Sequence, residues 1–284
     1  MIYLSIIGAL VLATATVTQR FVLKKRKVNV LSYQVFSFLV LFLITFPLAL
    51  IFWKFLPEAL APQNIFILIM VVFISVIANV FAASSMKWEK ISNIEPAKIL
   101  EPLFTILLAV GFSFIFGVGL YERNMKVLIP AVIAGLALIF SHIKKHHLKF
   151  NKYFLMAIAG SFFFALELVL SRLILDYYSP ITFYMIRCFG IFLFSFLIFR
   201  PKFMKLGKKV KLEVIGMAVL FIIYRIIIYT GYTSLGIVQT TLIIMLGPIF
   251  IYIFAHKFLH EKMNWKNIVA SVVILLCVLY AVLA

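Results

Sequence analysis

Acidic residues and cysteines are scarce in this sequence. Of its 284 residues only 9 are Asp or Glu and 2 are Cys, and charged residues of both signs make up 13%. Cys188 and Cys277 fall inside apolar runs and have no metal-ligand spacing around them. We therefore expect packed, inert thiols, and we predict neither a metal site nor a cofactor.

Recognisable catalytic and channel motifs are absent as well. The sequence has no H-E-x-x-H, no G-x-S-x-G, no carboxylate-rich metal motif and no phosphate-cradling glycine loop. An intramembrane enzyme would need such a constellation, so we predict that the protein is not an enzyme. A selectivity-filter loop and a ring of charges are also missing, which disfavours a channel.

Apolar residues dominate instead. They make up 65% of the sequence and the mean hydropathy is +1.17, well above the roughly 45 to 50% apolar content of soluble domains. In lipid, every backbone polar group must be satisfied internally, so only helices and closed barrels can span. The apolar runs are continuous over about twenty residues, as transmembrane helices require, and lack the alternation of barrel strands. The sequence predicts an all-α integral membrane protein.

Ten apolar runs predict ten transmembrane helices. The predicted spans are residues 2–19, 31–53, 64–86, 95–117, 126–142, 153–174, 181–199, 214–233, 237–257 and 265–284. The connections between them are too short to build a folded core. Any function is therefore expected within the membrane.

The positive charges lie in the connections between spans. The net charge is +18, but the basic residues form no stripe on a folded module, so nucleic acid is not an expected partner. The loops after odd-numbered spans hold about 21 Lys and Arg, against about four after even-numbered spans. Because basic loops stay on the cytoplasmic side, this bias places the odd loops in the cytoplasm and both termini outside.

Two groups of residues recur about half a chain apart. The recurring groups are Gly8 and Arg20 with Gly160 and Arg172, and Pro102-Leu103-Phe104 with Pro248-Ile249-Phe250. Each half holds five predicted spans, so a tandem repeat must cross the membrane in opposite senses. This is the inverted-repeat plan of many secondary transporters, with substrate bound between the halves. We predict two five-helix repeats, residues 1–145 and 150–284.

These motifs resemble those of the drug/metabolite transporter superfamily, EamA type. The matching residues are Leu100-Glu101-Pro102-Leu103-Phe104-Thr105 in the first half, and Leu246-Gly247-Pro248-Ile249-Phe250 followed by Glu261 in the second. In the first half the candidate Glu122 follows its proline at a greater distance than the family pattern has. The family commonly has both termini in the cytoplasm, opposite to the charge count.

The resemblance implies a secondary transporter that works by alternating access. We expect it to move a small metabolite, amino-acid-like or drug-like, across the plasma (inner) membrane, with export the favoured direction and protons as a candidate coupling ion. The alternative is a non-transporting membrane scaffold or a subunit of a larger complex. In that case the intramembrane charges could be neutralised without effect.

Glu167 is the first candidate site residue. An ionisable group at the centre of a span costs at least about 2.5 kcal/mol, so it usually faces a cavity or a partner. Glu167 lies mid-span on the same helix face as Gly160, Phe163, Phe164 and Ser171. It is either a proton or substrate-amine site, or a structural ion pair with an arginine.

Five further candidates could contact a substrate. Arg225 shares a helix face with Tyr229 and Tyr232, and Arg187 lies one span earlier. A guanidinium beside phenols could clamp a carboxylate, since Arg binds carboxylates through two hydrogen bonds. Both arginines could equally serve to neutralise Glu167. Glu101 opens the fourth span beside Lys98, and is either at the mouth of a cavity or simply solvated.

Prolines mark candidate hinges. Pro102 and Pro248 are expected to break or bend the fourth and ninth spans, because proline lacks a backbone donor and clashes with the preceding turn. Bent helices at matching places in two halves point to the binding region. A packing kink without function is the alternative.

The charge bias can be tested with reporter fusions. Reporters inserted at Lys145 and Lys208 should both report the cytoplasm, because both residues lie in basic loops after odd-numbered spans. A periplasmic or extracellular signal from either position would contradict the predicted orientation.

Overall fold

The computed structural model describes residues 2–23, 28–88, 97–98, 100–117, 121, 124–142, 152–201, 207–247, 249–250 and 265–283. In this part of the chain it contains ten α-helices and two short 3-10 turns, Pro57–Leu60 and Leu175–Tyr177. The helices are α1 (Ile2–Leu23), α2 (Val30–Ile51), α3 (Pro62–Trp88), α4 (Leu100–Phe116), α5 (Met125–His142), α6 (Lys152–Arg172), α7 (Pro180–Phe199), α8 (Lys208–Ser234), α9 (Ile237–Ile244) and α10 (Trp265–Leu283).

Each of the ten predicted spans coincides with one of these helices. Five helices, α2, α3, α6, α7 and α8, are long and apolar enough to cross a membrane. Shorter apolar segments lie in α1, α4, α5 and α10. Helix α9 ends at Ile244, and residues 251–257 of the predicted ninth span lie outside the described residues. Helix α8 begins at Lys208 and not at residue 214. Hydropathy marks only the lipid-facing part of a helix, whereas the backbone hydrogen bonds continue through the basic turn before it.

Local capping chemistry fixes several helix ends. The Asn29 side chain accepts hydrogen bonds from the backbone N–H groups of Leu31 and Ser32 at the start of α2. Ser179 caps α7 in the same way through Thr182, with Pro180 in the first turn. Between α8 and α9, Gly236 has φ +87°, a left-handed conformation that favours glycine. These signals place the turns where the sequence predicts loops.

The helix packing has an internal symmetry. Helix α3 packs against α6, and the helices five positions away, α8 and α1, pack against each other in the same way. Likewise α4 contacts α6, and the helices five positions away, α9 and α1, contact each other. Under the same shift of five positions, the pairs α2 with α7 and α5 with α10 convert into themselves. Because five is odd, the two halves cross the membrane in opposite directions, which confirms the predicted inverted repeats.

The recurring glycines occupy matching helix crossings. A Cβ atom at Gly8 would lie 2.8 Å from Ile227 on α8, and one at Gly160 would lie 3.2 Å from the backbone N of Ala82 on α3. Small residues let membrane helices approach closely. The Gly8 and Gly160 motif therefore marks the same interface in both repeats.

One of the two expected hinge prolines lies in the described part of the chain. Pro102 is the third residue of α4, which continues without a break to Phe116, and residues 97–98 before it are also helical. The bend expected at Pro102 stays a prediction. Pro248 lies outside the described residues. Two other prolines, Pro47 in α2 and Pro130 in α5, are in helix interiors.

Two connections, one from each half, are joined at one end of the bundle. Segment 52–56 follows α2 and segment 177–179 precedes α7; we call this contact the inter-loop bridge. The backbone N–H of Leu56 donates to the Tyr177 carbonyl at 2.9 Å, and that of Ser179 donates to the Lys54 carbonyl at 3.1 Å. Between them Phe55 and Tyr178 form an antiparallel bridge pair, with ring centroids 5.4 Å apart.

The crossing at Gly160 should not tolerate a methyl group. In Gly160→Ala the new Cβ would press on the α3 backbone, which cannot rotate away as a side chain can. We expect a loss of about 1 to 3 kcal/mol of stability, typical of overpacking, measured by thermal unfolding of the purified protein in detergent.

Gly216→Ala in α8 is the matched control. Its Cβ would meet nothing within 4 Å, so the higher helix propensity of alanine should leave stability unchanged or raise it by up to about 1 kcal/mol. Equal effects of the two substitutions would refute the close-packed crossing.

Candidate functional site

Glu167 lies at the centre of a buried charge cluster. Its side chain is fully buried, and its Oε2 lies 2.9 Å from Nη2 of Arg187 and 3.5 Å from Nη1 of Arg225. Helices α6, α7 and α8 of the second half bring these three groups together. The structure thus places Glu167 in an ion pair with both arginines, not with one of them.

Neutral hydroxyl groups complete the cluster. Tyr229 donates to Glu167 Oε1 at 3.4 Å and accepts a hydrogen bond from Arg187 Nη1 at 3.2 Å. Ser171 donates to the same carboxylate oxygen at 3.3 Å. From α3 in the first half, Ser75 Oγ accepts from Arg187 Nε at 3.1 Å. Arg187 is therefore held by partners on three other helices.

The two arginines are not equally satisfied. Arg187 is 1% exposed and makes hydrogen bonds to Ser75 and Tyr229 in addition to its ion pair. Arg225 is 9% exposed, and its Nη1 is buried without a hydrogen bond within the described residues. One carboxylate serves two guanidinium groups, so this cluster carries one excess positive charge.

A cavity of about 270 Å³ lies against the cluster, lined by residues of α1 to α9. Its volume is close to the lower end of the range for small-molecule sites, roughly 300 to 1,000 Å³. The polar and charged lining includes Gln34, Asn79, Lys98, Glu101, Arg187 and Arg225. Both halves of the chain therefore contribute to its wall.

The cavity extends toward the end of the bundle that carries the basic loops. Gln19 near the end of α1, Tyr33 near the start of α2 and Met86 near the end of α3 all line it. These helix ends adjoin basic connections. The lining residues nearest the opposite end, Tyr184 and Arg187, lie one to two turns inside α7. Beyond them, that end carries the inter-loop bridge.

The structure separates the predicted site residues into two groups. Glu101, Pro102, Arg187 and Arg225 line the cavity. Glu167 and Tyr229 lie behind the arginines, in contact with them. Tyr232 is not among the residues that line the cavity, and its hydroxyl lies 3.5 Å from that of Thr241. Pro248 lies outside the described residues.

Three site residues were not among the predictions. Ser75 holds Arg187, Tyr224 places its ring 5.9 Å from the Arg225 guanidinium, and Gln34 lines the cavity. Gln34 carried a usable signal, because an amide inside an apolar span needs a partner. Ser75 had no distinguishing signal, since serines commonly bond to their own helix, as Ser75 also does to Val71.

Neutralising Glu167 should cost more stability than neutralising Arg225. Glu167→Gln leaves two buried guanidinium groups without a counter-charge, which typically costs about 3 to 5 kcal/mol. Arg225→Gln leaves the Glu167–Arg187 pair intact, so we expect a smaller loss. Thermal unfolding of both variants in detergent checks the order, and an equal or reversed order would contradict the shared carboxylate.

Comparison with known proteins supports the resemblance seen in the sequence. Residues 151–283 match the EamA-like transporter family. A solved structure described as "Crystal structure of protein" aligns with a TM-score of 0.67 and 14% identity, over 99% of this chain and 95% of that chain. At this identity the likeness shows the fold alone. No curated protein matches the chain.

The helices, the internal symmetry and the sequence match agree. The predicted recognition is confirmed: this is a multi-pass membrane protein in which residues 151–283 match the EamA-like transporter family.

Proposed function

We propose that the protein is a secondary transporter that exports a small amino-acid-like or drug-like metabolite across the plasma membrane by alternating access. The observation that carries the proposal is the cavity. It lies between the two inverted repeats and ends at Arg187 and Arg225, which is where transporters of this plan bind substrate. No cofactor takes part in the proposed function.

The two ends of the bundle differ as alternating access requires. The cavity reaches the basic end, while at the other end the inter-loop bridge ties the α2–α3 connection to the α6–α7 connection. The Ser179 hydroxyl adds a hydrogen bond to the Phe52 carbonyl at 2.7 Å. In the proposed cycle this bridge opens when the basic end closes.

The charge bias supports export as the proposed direction. If the basic loops are cytoplasmic, as their excess of Lys and Arg predicts, the described conformation accepts solute from the cytoplasm. Glu167 is the candidate proton-coupling residue, because protonating it would release both arginines from their shared partner. A proton gradient is then the expected driving force.

A scaffold or subunit role is the competing proposal. A scaffold would not need a polar cavity with arginine side chains in its wall. Burying such groups is costly without a ligand or another partner. The cavity therefore favours transport over a passive membrane role.

A disulfide across the inter-loop bridge tests the cycle. Phe55 and Tyr178 form a bridge pair flanked by the two backbone hydrogen bonds, an arrangement in which Cα atoms are about 4.5 Å apart, within disulfide range. In Phe55→Cys/Tyr178→Cys, oxidation should abolish flux in proteoliposomes supplied with labelled amino acids and organic cations, with and without a pH gradient. Reduction should restore it.

The single-cysteine variants are the matched controls, and the native Cys188 and Cys277 are buried. Oxidation should leave the single variants active. Undiminished flux through the cross-linked protein would rule out opening at this end, and no flux of any solute through the wild type would favour the scaffold role.

A further inference from the structure

Two residues of the cavity wall carry buried polar atoms that make no hydrogen bond. Arg225 Nη1 and Gln34 Oε1 make none within the described residues, and Arg225 Nη1 is the atom that lies 3.5 Å from Glu167 Oε2. Both residues line the cavity, and both are at least nine-tenths buried. A buried donor or acceptor left unpaired costs about 1 to 3 kcal/mol. A ligand that pairs with these atoms would remove that cost.

The Glu167 carboxylate pairs with Arg225 only through a long contact. Its Oε2 lies 2.9 Å from Arg187 Nη2 and 3.5 Å from Arg225 Nη1, and it makes no hydrogen bond within the described residues. Its Oε1 already accepts hydrogen bonds from Ser171 and Tyr229. Arg225 is therefore the less tightly held arginine of the cluster, and it lines the cavity.

We propose that Arg225 binds the carboxylate group of the transported solute. The proposal rests on the proposed transport function and names the chemistry of its substrate. A carboxylate matches the planar guanidinium through two parallel hydrogen bonds, and its charge balances the excess positive charge of the cluster. The Tyr224 ring, 5.9 Å from the guanidinium, limits the directions in which Arg225 can turn.

The rest of the lining offers acceptors for an N–H group. The Gln34 Oε1 is unpaired. The Glu101 carboxylate also lines the cavity. Two solute types therefore share the proposed carboxylate chemistry, a simple organic acid and a zwitterion whose ammonium group contacts these acceptors.

Three probes of one shape separate these solutes. They are phenylalanine, 3-phenylpropanoate, which lacks the ammonium group, and phenylalanine amide, which lacks the carboxylate. Binding to the full chain in detergent is measured by isothermal titration calorimetry, for the wild type and for Arg225→Gln. Lys209→Gln, at an exposed position in the first turn of α8, removes the same charge far from the cavity.

The wild type should bind at least one of the two acids at least about 10-fold more tightly than the amide, as the loss of a charged hydrogen bond predicts. Arg225→Gln should abolish this preference, whereas Lys209→Gln should retain it. Tighter binding of phenylalanine than of 3-phenylpropanoate would identify a zwitterion site, and equal or weaker binding would identify an organic-acid site.

Equal binding of the acids and the amide, an unchanged preference in Arg225→Gln, or no binding of either acid would overturn the proposal. If Arg225→Gln does not fold, two measurements still decide the proposal. They are the comparison of the three probes in the wild type, and binding to Arg225→Lys, which keeps the positive charge but not the planar guanidinium group. Flux of an organic cation without acid binding would leave the transporter standing and remove this subsite. Acid binding without flux would support the carboxylate subsite and contradict the transport function.

Discussion

The sharing of one buried carboxylate between two arginines is the constraint on which the rest of the site depends. A buried charge is tolerated only when it is paired and hydrogen-bonded. Glu167 makes both arginines acceptable at the centre of the bundle, and it holds α6, α7 and α8 at the distances that its contacts require. The wall of the cavity is built on this arrangement, because Arg187 and Arg225 are part of that wall.

The inverted repeats agree in their packing and differ in their chemistry. Gly8 and Gly160 occupy equivalent crossings, so the helices of both halves approach each other in the same way. The cluster of Glu167, Arg187 and Arg225, in contrast, comes from the second half, and the first half supplies Ser75 as a neutral partner of Arg187. The charged residues that the first half adds to the cavity wall are Lys98 and Glu101. Symmetry therefore sets the position of the cavity between the halves, and the departure from symmetry places the paired arginines on one side of it.

The sequence predicts the fold better than the site. The fold depends on local and periodic signals, whereas the site depends on contacts between separate helices. Apolar runs of span length and the five-by-five repeat are local or periodic signals, and they correctly predict ten helices and their inverted plan. That Glu167 pairs with both arginines depends on how three helices turn about their axes, which spacing along one helix does not give.

The two arginines have different roles because their environments differ. Arg187 is anchored by Glu167, Ser75 and Tyr229, so moving it would break contacts on three helices at once. Arg225 lines the cavity and has only the longer contact to Glu167, without a hydrogen bond from its Nη1 within the described residues. A group that must both stay in place and bind a passing solute meets conflicting demands. Here two guanidinium groups, joined through one carboxylate, share these demands. The solute can therefore interact with Arg225 while Arg187 preserves the packing of the bundle.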